Sequence, residues 1–135
     1  MKADWRDRLG ICLSALCLAH CLLTPFVVGL LPVGAMLGFW HHGFHRLFLV
    51  LVSSAALLAF WPGWRAHRDA RVWYWGGTAV VLLTIGILGH GHDEGVEGSA
   101  YYLWLLPTIF GGAAMIRAHL LNRRLCACCA QGHAH

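Results

Sequence analysis

Charged residues are scarce in this sequence, and their scarcity restricts the class of protein. Only 12% of the 135 residues are charged, whereas 59% are hydrophobic. A soluble domain usually carries roughly 25% charged residues. The apolar side chains must therefore face lipid as well as one another. The net charge of +4 is modest, and the basic residues are not clustered as a nucleic-acid-binding face would require.

Other absences argue against several kinds of site and activity. Six cysteines are present, but none lies in the two loops that we place outside below, so they do not form a secreted disulfide framework. A membrane thiol oxidase would need cysteine pairs in those loops to meet its partners. A haem bundle is also disfavoured, because only His20 is deep within an apolar segment. The chain has no ATP-binding loop, and we expect neither an enzyme nor a protein with a resident cofactor.

Apolar segments long enough to cross a bilayer as helices, which takes about 20 residues, recur along the chain. The first exceeds the roughly 7–15 apolar residues of a signal-peptide core, so we interpret it as a retained helix. The pattern predicts an all-α fold, an integral membrane bundle of four transmembrane helices in a single domain. The predicted helices and the tail that follows them span residues 9–31, 44–61, 72–88, 101–121 and 122–135.

The distribution of basic residues predicts the orientation of these helices. Nine of the ten Lys and Arg residues lie at the N-terminus, between the second and third helices, or near the end of the fourth; Arg46 is the exception. Basic residues are enriched in cytoplasmic segments. Both termini are therefore predicted to be cytoplasmic, with the first and third loops outside.

The first predicted helix carries a candidate metal site in its middle. Cys17 and Cys21 are four residues apart and share a helix face, and His20 lies about 60° to the other side of Cys17. At about 1.5 Å per residue, the two thiols lie roughly 12 and 18 Å beyond Leu9, which brackets the midplane of a ~30 Å hydrocarbon core. Thiolates select soft ions such as Hg(II), Cu(I) and Zn(II), and His20 is a third ligand or a proton acceptor.

Two other residues of the first predicted helix affect this candidate site. Pro25 lacks an N–H to bond the Cys21 carbonyl, so we expect the helix to bend there. Cys12 is turned about 140° from Cys17 and is either an entry ligand or a small hydrophobic residue. For Cys17 and Cys21, too, the interpretation as small hydrophobic residues stays open. His20 beside them favours a functional site, because a histidine inside a membrane is by default functional.

A second group of candidate ligands lies in the third predicted loop. His90, His92 and Asp93 combine imidazole and carboxylate groups, which suits a divalent cation. We expect a weak collecting site that raises the local concentration of cations. The alternative is that they are ordinary polar loop residues.

Three more thiols lie close together near the C-terminus, at Cys126, Cys128 and Cys129. Their spacing is not that of a zinc finger, so we predict a flexible site that receives the ion in the cytosol. The alternatives are a lipid anchor and a disordered tail. His67 and His119 are predicted to be interfacial polar residues rather than ligands.

Two motifs resemble a known family. They are DRLGICLSALCLAHCLLTP, at Asp7–Pro25, and AHLLNRRLCACC, at Ala118–Cys129. They resemble the MerC-type mercuric ion transport proteins. That resemblance implies a small four-helix protein of the bacterial inner membrane, which takes Hg(II) into the cytosol through paired cysteines of the first helix.

The family pairs these cysteines with two intervening residues, whereas this chain has three. Zn(II) or Cu(I) uptake therefore stays open, as does a metal sensor or accessory protein that does not transport. The expected partners are the bilayer, the metal ion, cytosolic thiol acceptors and a second copy of the chain.

Overall fold

The computed structural model of this chain contains helices, turns and no strand over the residues it describes, so the all-α prediction is confirmed there. The backbone is described for residues 4–30, 34–92 and 99–132, and the side chains for residues 5–23, 46–89 and 103–132. The four helices are α1 (Asp4–Leu30), α2 (Gly34–His67), α3 (Arg71–His92) and α4 (Ser99–Ala130).

Long apolar stretches dominate three of these helices. By length and composition, Arg46–His67, Arg71–Gly89 and Leu103–Ala130 are each able to cross a membrane. The part of α1 with described side chains, residues 5–23, carries three charged residues directly after Trp5, and the first predicted span runs past it to residue 31. The count of four spans and the orientation of the termini therefore stay predictions.

The helices pack around two adjoining groups of buried side chains. α1 and α3 each contact both α2 and α4, and α2 also contacts α4. Phe60, Val72 and Met115 are among the largest fully buried side chains and join α2, α3 and α4. Ala59 and Ala79 lie between them, and such small residues let helices approach closely. This arrangement leaves one face of α1 directed at the centre of the bundle.

All four helices are longer than predicted, and α2 and α4 differ most from the prediction. α2 begins at Gly34, ahead of the predicted residue 44, and α4 continues to Ala130 instead of ending at residue 121. The extension of α4 has a visible cause, because Leu121 and Leu125 pack against the core and Asn122 is fully buried. Residues 122–130 are therefore helical rather than a flexible tail. α1 continues as a helix through position 25, and the predicted bend stays a prediction.

The turn between α2 and α3 is defined by local hydrogen bonds. Arg68 has a φ of 56°, in the left-handed region that often ends a helix. The Asp69 carboxylate then accepts a hydrogen bond from the Arg71 backbone N–H at 2.8 Å, which caps the start of α3. The Arg71 guanidinium also binds this carboxylate and lowers the pKa of Asp69.

Candidate metal-ion site

Within residues 5–23 of α1, the fully buried positions carry no large apolar side chain. These positions recur every three or four residues, as expected for one face of a helix. In chain order they are Asp7, Gly10, Ser14, Cys17 and Cys21. We call this set the inward stripe. The aliphatic residues of α1, by contrast, include several that are exposed on the outside of the bundle.

The two predicted thiol ligands lie together on this stripe. Cys17 is 7% exposed and Cys21 3%, and their side chains are hydrogen-bonded to each other. Phe48 of α2 and Leu105 of α4 pack against them. Because a metal–sulfur bond to zinc is about 2.3 Å long, one ion spans two sulfur atoms that are up to about 4.6 Å apart. A shared ion would require the Cys17 and Cys21 sulfur atoms to lie within that distance, and the ligand role itself stays a proposal.

The other two candidates on α1 lie off the stripe. His20 is half-buried beside Cys21, whereas Cys12 is exposed. Cys12 therefore lies away from the thiol pair, as its helical angle predicts.

A cavity of about 10 Å³ adjoins Cys17 at the point where all four helices meet. Ser14 and Cys17 line it from α1, Val52 from α2, Leu83 from α3 and Thr108 from α4. Such a volume holds about one water molecule. The Ser14 hydroxyl is buried there and has no hydrogen-bond partner within the described part of the chain.

A second buried cluster, which the sequence reasoning missed, lies at the first turns of α1. Asp7, His119 and Asn122 are each at most 1% exposed. One Asp7 carboxyl oxygen is 2.8 Å from His119 Nδ1, and the other accepts a hydrogen bond from Asn122 Nδ2, also at 2.8 Å. The Asn122 amide also donates to the Ala59 carbonyl at 3.3 Å and pairs with His67 Nε2 at 3.1 Å. The cluster therefore joins α1, α2 and α4.

The prediction that His119 is interfacial is wrong, because its side chain is 0% exposed. Its ring packs so closely against Gly10 that a Cβ at that position would clash with His119 Nε2. One signal in the sequence does point to the cluster. Asp7 opens the first motif, and His119 and Asn122, three residues apart, lie in the second.

The tail thiols lie at the same end of the bundle as this cluster. Cys126 and Cys129 are half-buried, and the Cys129 thiol donates to the Ala66 carbonyl of α2 at 4.0 Å. Cys128 is exposed. Within residues 5–23, 46–89 and 103–132, no three or more His, Cys, Asp or Glu side chains come together as a metal-binding group.

The loop candidates are only partly described. The backbone of His90 and His92 belongs to the last turns of α3, but their side chains are outside the described residues. Asp93 lies wholly outside them.

Comparison with known families adds one decisive observation. Residues 7–124 match the family described as MerC mercury resistance protein. The chain belongs to the MerC family. No curated protein and no solved structure matches it. The matched region of this MerC protein begins at Asp7 and includes the whole inward stripe, His119 and Asn122, whereas Cys126, Cys128 and Cys129 lie beyond its end.

Proposed function

We propose that this MerC-family membrane protein carries Hg(II) across the bacterial inner membrane into the cytosol, with Cys17 and Cys21 as its ligands within the bilayer. The observation that supports this most directly is the pair of buried, hydrogen-bonded thiols on the inward face of α1. Two soft sulfur ligands side by side favour a thiophilic ion over hard cations such as Mg²⁺ or Ca²⁺.

The chemistry we propose is ligand exchange. Binding of Hg(II) breaks two S–H bonds, forms two metal–sulfur bonds and releases two protons, because thiolates rather than thiols ligate metals. The product carries no net charge, which suits an interior of low dielectric constant. On the outer side, His90, His92 and Asp93 would collect the cation. His20, beside Cys21, would accept a released proton or serve as a third ligand.

Delivery follows by the reverse of this step. A thiol of Cys126, Cys128 or Cys129 binds the ion and loses its proton, while one intramembrane thiolate leaves and is reprotonated. A cytosolic thiol acceptor would then remove the ion. We place both termini in the cytosol on the evidence of the basic residues. The two protons lost from Cys17 and Cys21 would leave towards the cytosol, so that net positive charge moves inward and an inside-negative potential assists entry by ~2.3 kcal/mol per charge per 100 mV.

A metal-binding protein that does not transport is the second candidate. The near-complete burial of both thiols favours it, because the cavity that adjoins Cys17 has a volume of only about 10 Å³. A measurement of ion flux distinguishes transport from binding without transport. Purified protein in liposomes with an enclosed thiol chelator should accumulate radioactive Hg(II) faster than protein-free liposomes, and faster still under an inside-negative potassium diffusion potential.

Stoichiometric binding without accumulation in the vesicle lumen would instead support a sensor or accessory protein. Competition by Zn(II) and Cu(I) in the same assay would identify the transported ion. We also propose a second copy of the chain as a partner. Uptake by vesicles that each hold a single copy would show that the second copy is dispensable.

Replacing Cys126, Cys128 and Cys129 together with serine should slow delivery by about tenfold or less, without abolishing it. The ion can still leave the intramembrane pair for a soluble thiol, but it loses the nearest acceptors. The measurement is the initial rate of Hg(II) transfer to an enclosed chelator. Complete loss of transfer would make these thiols an obligatory gate, contrary to the receiving role proposed here.

A further inference from the structure

Two arginines from neighbouring helices lie at the end of the bundle that holds the N-terminus, and neither forms an ion pair with a described carboxylate. We propose that Arg6 of α1 and Arg65 of α2 form a binding site for the headgroup of an anionic phospholipid. This inference goes beyond the proposed function, because it would hold whether or not the protein transports an ion.

Each arginine lies against an exposed tryptophan of its own helix. The guanidinium carbon of Arg6 is 5.7 Å from the centre of the Trp5 ring, and that of Arg65 is 5.1 Å from the centre of the Trp61 ring. The two tryptophans are 57% and 52% exposed. A ring face attracts the charge of a guanidinium but offers no lone pair to its N–H groups. Both guanidiniums are therefore held in place while most of their hydrogen-bond donors stay available to a ligand.

A proline in α2 explains how the two arginines come together. Pro62 has no N–H, so the carbonyl of Leu58, four residues earlier, lacks its usual partner within the helix. Arg6 Nη1 donates a hydrogen bond to that carbonyl at 3.2 Å. Leu58, Trp61 and Arg65 are spaced by three and four residues, so they share one face of α2. The hydrogen bond therefore ties Arg6 to the part of α2 that carries Trp61 and Arg65.

The surface next to these arginines is apolar, which favours a lipid over a soluble anion. Leu9 follows Arg6 by about one turn of α1, and both Leu9 and Leu58 are exposed. Leu16 of α1 and Leu51 of α2 are also exposed and lie about two turns farther from the end of the bundle, on the same helix faces. Acyl chains would cover these leucines while the headgroup meets the guanidiniums.

The charge of this end of the bundle selects among phospholipids. Two described carboxylates lie near the arginines, but Asp7 is buried against His119 and Asn122, and Asp69 is bound by Arg71. A headgroup such as that of phosphatidylcholine brings its own cation, whereas that of phosphatidylglycerol does not. Guanidiniums bind phosphate oxygens through charge-assisted hydrogen bonds, so an anionic headgroup without a cation of its own should be preferred.

The test measures lipid binding to the full-length protein, which is purified free of lipid in a non-ionic detergent. Phosphatidylglycerol and phosphatidylcholine are titrated separately, and bound lipid is counted by native mass spectrometry. The variants are Arg6→Gln, Arg65→Gln and the two combined. The matched control is Arg68→Gln. Arg68 lies 5.2 Å from the centre of a tryptophan ring at the same end of the bundle, but it forms no hydrogen bond to α1 within the described residues.

Phosphatidylglycerol should bind at least about tenfold more tightly than phosphatidylcholine. Each single variant should weaken its binding by about fivefold and the double variant by about 25-fold, whereas Arg68→Gln should weaken it by less than about twofold. An equal loss in Arg68→Gln would mean a general attraction between a basic surface and acidic lipid, and would overturn the proposal. Equal binding of the two lipids would overturn it too, as would displacement of phosphatidylglycerol by an equal concentration of glycerol phosphate, which has no acyl chains.

Arg65→Gln keeps the test decisive if Arg6→Gln does not fold. Arg6 also bonds to the carbonyl that Pro62 leaves without a partner, whereas the described contact of Arg65 is with an exposed tryptophan of its own helix. Circular dichroism and elution from a sizing column should be unchanged in Arg65→Gln. An unchanged affinity of this folded variant for phosphatidylglycerol would overturn the proposal.

Discussion

Cys17→Ser and Cys21→Ser should each reduce Hg(II) uptake to the level of protein-free liposomes. Serine has nearly the size of cysteine, but its hydroxyl is a harder ligand and is not ionised at neutral pH. Either change leaves the ion with a single thiolate on the inward stripe. Since both side chains are buried in contact with each other, no other described thiol is placed to substitute for the missing one.

Cys12→Ser is the matched control for these variants. It makes the same chemical change on the same helix, but at an exposed position off the inward stripe. Uptake by this variant should stay close to that of the unmodified protein. Membrane insertion and elution from a sizing column should be alike for all three, because the stripe already accommodates a serine at Ser14. Normal uptake by Cys17→Ser or Cys21→Ser would rule out the intramembrane pair.

The pairing of Cys17 with Cys21 on a buried face was predictable, because it depends only on their four-residue spacing in a helix. Hydropathy alone does not identify that face. Leu16 and Leu23 of α1 are exposed at 56% and 59%, respectively, because apolar side chains can face lipid. What distinguishes the inward face of α1 is its small and polar residues, a pattern typical of helix contacts inside membranes.

The buried cluster was harder to predict for a different reason. His119 and Asp7 are 112 residues apart in the chain, and only tertiary packing brings them together. Without that partner, a histidine near the predicted end of a span is indistinguishable from an interfacial residue. The same packing explains why α4 runs past residue 121, since Asn122 is held in the cluster by Asp7. Local sequence signals do not report contacts of this range.

Asp7→Ala should lower the free energy of unfolding by about 3–5 kcal/mol, the cost of removing one partner from a buried polar pair. The change leaves His119 Nδ1 without its Asp7 partner and the Asn122 amide with only the Ala59 carbonyl, in a part of the bundle that is at most 1% exposed. It also removes the contact that ties the start of α1 to α4. The measurement is reversible unfolding in mixed micelles, followed by circular dichroism.

Asp69→Ala is the control that separates the effect of burial from that of losing a carboxylate. Asp69 also pairs with a basic side chain, at 2.6 Å from Arg71, but that arginine side chain is 72% exposed. Exposed pairs contribute little, so loss of this pair and of the helix cap should cost about 1 kcal/mol. Equal losses in the free energy of unfolding for the two variants would mean that Asp7 contributes no more to stability than a surface carboxylate does. A large difference would show that the buried polar cluster helps to hold the thiol-bearing helix against α4.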